Sequence, residues 1–145
     1  ARSFVMGTMP LASIVTSLTL GVYLLRSYTA VQVVQLGFLL CAGCVVWLWV
    51  APGLPMACIS LAAAMGMVQG ASFASVPQLN DTASDRAESN GAMAQAGNLG
   101  NTLGTPLMVA VLAAGGFGGM AFTLILLFLG GFAVHMFLAW YRRLR

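Results

Sequence analysis

Lysine is absent from the 145 residues, and charge of either sign is scarce: six basic and three acidic residues make up 6% of the chain. An ordinary soluble domain carries roughly a quarter charged residues. So few charges cannot solvate a globular surface, and the soluble classes are excluded. The three acids, Asp81, Asp85 and Glu88, fall in one short stretch, so the long apolar runs contain no carboxylate. An intramembrane acid is the usual proton carrier, and any proton coupling must therefore use residues outside this chain. A net charge of +3 without a basic face offers nothing to follow a phosphate backbone, which excludes nucleic acid as a partner.

Cysteine and histidine are almost as sparse. Cys41-x-x-Cys44 lies inside an apolar run without the context of a redox fold, and with Cys58 it reads as packing. His135, the single histidine, falls near the end of another apolar run and reads as a snorkelling or interhelical residue. Neither the cysteines nor the histidine forms a metal or cofactor motif.

What the chain has in abundance is apolar sequence, 60% of residues, with a mean hydropathy of +0.94. A bilayer core about 30 Å thick needs roughly 20 helical residues. On that measure the uncharged intervals predict an all-α integral membrane protein with helices over about 3–25, 29–50, 54–76, 84–114 and 117–141. Ala51-Pro52-Gly53 and Gly115-Gly116 supply two tight turns, and Pro52 and Pro55 sit in or just before a first turn, where a missing N–H costs little. Pro77 closes the third helix, and residues 77–90 form the sizeable loop, in which Thr82-x-x-Asp85 is a start signal for the fourth helix.

Arg26, Arg86, Arg142, Arg143 and Arg145 collect on one side of this arrangement and Arg2 alone on the other. The positive-inside rule makes the first side cytoplasmic, with the loop and the C-terminus there. The N-terminus is then outside. Since the chain begins with Ala1, the expectation is that further sequence precedes it. A signal peptide is disfavoured for Ser3–Leu25, because one basic residue precedes it and the apolar run is too long.

The stretch Gly91–Gly104, "GAMAQAGNLGNTLG", places amides where a membrane helix is expected. At about 100° per residue, Gly91, Gln95, Asn98, Thr102 and Thr105 share an arc of about 80°, and Gly97, Gly100 and Gly104 lie nearly opposite. The glycine stripe suits close helix approach. The amide stripe needs a partner or water, because an unpaired amide in hydrocarbon costs several kcal/mol; the register over three turns favours a cavity lining. Pro106 removes the hydrogen bond to the Thr102 carbonyl and is a candidate hinge, and Pro10 raises the same question in the first helix.

The third helix carries Gln69 and Ser72 beside Gly66-x-x-x-Gly70, and the first carries Thr8, Ser13, Thr16, Ser17 and Thr19. Both read as path-facing, although serine and threonine hydroxyls can bond to their own helix backbone. The second and fifth are nearly all apolar, with Trp47, Trp49, Trp140 and Tyr141 at interface depth, and read as lipid-facing.

The stretch Gly66–Leu107, "GMVQGASFASVPQLNDTASDRAESNGAMAQAGNLGNTLGTPL", resembles the tenth helix, the following cytoplasmic loop with its lone arginine, here Arg86, and the eleventh helix of a major facilitator superfamily transporter. The resemblance implies that the five helices are the eighth to twelfth of twelve, part of a six-helix C-terminal half. It also implies that the eighth, tenth and eleventh line the cavity while the ninth and twelfth lie outside, and that a missing N-terminal half is the partner. In that family the loop before the ninth helix often has a glycine, an acid and several arginines; here only Gly21 and Arg26 stand there. The implied activity is secondary active or facilitative transport of a small solute, efflux included, across a bacterial cytoplasmic (inner) membrane, with no enzyme chemistry and no cofactor. Two other classes stand beside it. Asn80-Asp81-x-x-x-Asp85-x-x-Glu88 is similar to the magnesium-binding motif of membrane prenyltransferases, but the acids follow at four and seven residues instead of four and eight, and there is no second acidic motif. A non-catalytic membrane subunit is the other.

Overall fold

In a computed structural model, residues 2–144 are described, with side chains from Gly7 onward. Ala1 and Arg145, and the expectations that rest on them, lie outside the described residues. All elements among the described residues are helical: α1 (Arg2–Thr16), a π-helical turn (Ser17–Gly21), α2 (Val22–Leu24), α3 (Ala30–Val50), α4 (Pro55–Leu79) and α5 (Ala83–Arg143). Four segments are long and apolar enough to cross a membrane: 7–24, 30–50, 55–79 and the 61-residue α5.

The helices form a row. α1 runs parallel to α4, since Ser13 lies on Gly66 and Ser17 on Gly70. α4 runs antiparallel to α3, with Val68 against Gly37 near one level and Gln78 at Ala30 at the end. Residues 117–143 of α5 run antiparallel to α3 on its other side, where Gly118 meets Trp49 and Gly131 meets Phe38. The first part of α5, residues 83–115, is exposed along almost its whole length.

The core is the α3–α4 seam, where Val33, Val34, Met67 and Ala71 are buried and Leu24, Leu25, Phe38 and Val68 pack against them. Its buried residues are mostly alanine and valine, while leucines such as Leu36, Leu39 and Leu40 point outward. Between helices in lipid there is no hydrophobic driving force to bury large side chains, so close backbone approach through small ones supplies the packing.

Helix ends follow local chemistry. Thr29 caps α3 in a capping box, its hydroxyl accepting from the Gln32 N–H at 3.3 Å while Gln32 Oε1 accepts from the Thr29 N–H at 3.0 Å. Thr82 caps α5, accepting from the Asp85 N–H at 3.1 Å. The linker between α4 and α5 is shorter than the sequence suggested. Pro77 lies inside α4, which continues to Leu79, and only residues 80–82 are non-helical before Ala83. The Gln78 side chain accepts the Ala30 N–H at 2.9 Å, so the last turn of α4 is held by capping its neighbour. Arg86 Nε donates to the Asn80 carbonyl at 2.9 Å and closes the turn.

The expected fourth and fifth helices follow one another without a loop as α5. The single break is Gly116, at φ 61° and ψ −164°, a conformation open essentially only to glycine.

Candidate functional site

A cavity of about 630 Å3 opens between α1, α3, α4 and α5, and Ser13, Gln69 and Asn101 are its polar lining. Cys41, Met65 and Phe128 form part of its apolar wall. Gln69 lies near the middle of α4 and Asn101 near the middle of residues 83–115, so both amides fall at mid-depth of long apolar helices. Both are exposed, and neither side chain has a hydrogen-bond partner among the described residues. Each amide therefore presents donors and an acceptor to the cavity.

Beside it, a groove of about 250 Å3 runs between α1 and α4, lined by Ser13, Ser17, Gln69 and Gly70. It exists because Gly66 and Gly70 let α1 approach: a Cβ on Gly66 would overlap the Ser13 backbone, and one on Gly70 the Ser17 hydroxyl. Ser72 is turned to its own helix, its hydroxyl donating to the Val68 carbonyl at 2.7 Å. Thr19 does the same to Val15 at 2.6 Å.

The amide stripe of α5 is arranged differently. Gln95, Asn98, Thr102 and Thr105 are all exposed and line none of the cavities described. The Thr102 hydroxyl donates to the Asn98 carbonyl at 2.8 Å, and so satisfies itself on the backbone. The residue of this helix that meets Gln69 across the cavity is Asn101, which sits between the two stripes on the helical wheel. No periodic signal singles it out; only the placement of its neighbours does. A Cβ added at Gly97, Gly100 or Gly104 would meet nothing within 4 Å, so among the described residues no helix lies against that stripe. Pro106 is exposed on the same helix.

The acids stay local. Asp85 Oδ2 accepts the Thr82 hydroxyl at 2.6 Å, and no three His, Cys, Asp or Glu side chains come together as a metal-ligand group among the described residues. His135 packs on Phe38 with ring centroids 5.5 Å apart, in the α3–α5 seam. Cys41 is buried and Cys44 half-buried, both as free thiols.

A second, larger cleft of about 840 Å3 lies where the start of α3 and the ends of α4 and α5 meet, with Gln32, Gln35, Gln78, Trp140, Arg142 and Arg143 among its lining. No family model matches this chain, and no curated protein or solved structure shows significant similarity to it.

Proposed function

We propose that this chain is part of the C-terminal half of a transporter of the major facilitator kind, moving a small solute by alternating access against a second, N-terminal half. The observation that carries the reading is the pair of mid-depth amides, Gln69 and Asn101, on one cavity without hydrogen-bond partners among the described residues. An amide facing hydrocarbon alone costs several kcal/mol, and facing water or a solute it costs nothing. The length of α5 supports five crossings. Gly116 divides its 61 residues into 83–115 and 117–143, about 50 Å and about 40 Å of helix at 1.5 Å per residue, each long enough for one crossing of a core about 30 Å thick. Path-lining helices are then α1, α4 and the first limb of α5, with the exposed stripe Gln95, Asn98, Thr102 and Thr105 turned to the partner half and Gly97, Gly100 and Gly104 available for close packing. Pro106 serves as the hinge of that limb. The setting is a bacterial cytoplasmic membrane with a cytoplasmic C-terminus.

Water access tests this without knowledge of the solute. In the full-length protein, with native cysteines replaced, Gln69→Cys and Asn101→Cys should react with a membrane-impermeant methanethiosulfonate, while Leu129→Cys, at a similar depth but exposed on the second limb of α5, should not. Reaction at Leu129 alone, or equal protection at all three, overturns the reading.

A further inference from the structure

We propose that the cleft at the arginine-rich end of the bundle binds the phosphate of an anionic membrane lipid. The inference rests on the chain spanning a membrane, not on transport. Arg142 and Arg143 line the cleft from the last turn of α5, and among the described residues neither has a carboxylate partner. Among the described residues no acidic side chain lines it. The α3 N-terminus opens onto the same space and adds the positive end of its dipole. Gln35, half-buried and without a partner among the described residues, supplies a neutral donor for a phosphate or glycerol oxygen. Arginine is the side chain suited to phosphate, since its planar fork can give two parallel hydrogen bonds.

The remaining wall decides between a lipid and a free anion. Val31, Leu79, Met136 and Ala139 give the cleft an apolar side that an inorganic anion would leave unused and an acyl chain would cover. Trp140 stands at its rim in a cluster with Phe137, ring centroids 6.2 Å apart, and Phe137 stacks on Tyr141 at 6.4 Å. Such rings mark headgroup depth. The level is consistent with the other end of the bundle. Trp49 lies on Gly118, 22 residues before Trp140 on α5, a rise of about 33 Å that matches one bilayer core. Basic clefts between helix ends at this depth are where anionic headgroups bind.

The test uses the full-length protein in a neutral detergent, titrated with phosphatidylglycerol, with phosphatidylcholine and with inorganic phosphate, and read by native mass spectrometry and by thermal unfolding. Phosphatidylglycerol should be retained and should raise Tm above the phosphatidylcholine value. In the Arg142→Gln/Arg143→Gln variant its affinity should fall roughly thirtyfold, each arginine near an anionic surface contributing about fivefold. Arg142→Lys/Arg143→Lys should keep most of the affinity, which separates charge from folding. An unchanged affinity in the glutamine variant overturns the proposal, as does equal retention of the two lipids. A Tm rise with phosphate equal to that with phosphatidylglycerol overturns the lipid assignment and leaves a free-anion site. None of these outcomes bears on thiol access at Gln69 and Asn101, so the two readings fail separately.

Discussion

At the scale of single residues, glycine has two different surroundings in this chain. Gly66 and Gly70 are filled in front by Ser13 and Ser17, while Gly97, Gly100 and Gly104 face open space. Spacing marks both groups as packing faces, because small-x-x-x-small describes one helix and says nothing of whether a neighbour arrives. The same limit explains Asn101. Its periodicity assigns it to neither stripe, and it is the position of α4 and α1 that makes it cavity-lining. Gln69 was legible because an amide in the middle of an apolar helix stands out without any neighbour. A contrast follows. Gly66→Ala must push the α1 backbone away and should cost about 1–3 kcal/mol, the usual range for overpacking. Gly97→Ala meets nothing within the described residues and should be neutral or, through helix propensity, stabilising by about 0.5–1 kcal/mol in Ala1–Arg145 alone. Thermal unfolding of both variants in detergent checks the pair. A loss at Gly97 as large as at Gly66 would mean that another copy of the chain already packs on the stripe.

At the scale of elements, caps and breaks were largely readable. Thr82-x-x-Asp85 works as a cap because an N-terminal turn has free N–H groups that a hydroxyl three residues back can reach, a purely local matter. The end of α4 was not readable. Pro77 removes one donor, but what keeps the helix going to Leu79 is Gln78 reaching 48 residues back to Ala30, and no local rule contains that contact. The Gly115-Gly116 pair was legible as a joint, and the structure assigns the break to Gly116 alone, at φ 61°. Alanine there would sit in a region nearly closed to residues with a Cβ, at a cost of about 1–3 kcal/mol. Gly116→Ala should therefore lower Tm and folded yield, and Gly115→Ala, whose φ is not positive, should leave both nearly unchanged. Equal behaviour of the two variants would show that the break is not held at Gly116.

At the scale of the whole molecule, the row α1, α4, α3 and the second limb of α5 makes a directional statement that can be checked from outside. α1 and α4 run in parallel and α3 opposes both, so the ends of α1 and α4 lie on one side together with the start of α3. That side also holds Arg26, Arg86, Arg142 and Arg143, all exposed, with Arg86 tied to the Asn80 carbonyl in the short α4–α5 turn. The opposite end has the start of α1 with Arg2, the turn at residues 51–54 and Gly115–Gly116, with Trp47 and Trp49 exposed beside them. Because arginines resist transfer across the membrane during insertion, the arginine side should remain cytoplasmic. In a cysteine-free background of the full-length protein, Ser84→Cys should be labelled by an impermeant maleimide only after the cytoplasmic face is opened, and Gly115→Cys in intact cells. Both residues are exposed, so a lack of reaction would reflect sidedness and not burial. Labelling of both from the same face would be incompatible with a first limb of α5 that crosses the bilayer. The count of crossings would then drop, Gln95, Asn98 and Asn101 would lie outside the hydrocarbon, and their amides would no longer require a cavity at all.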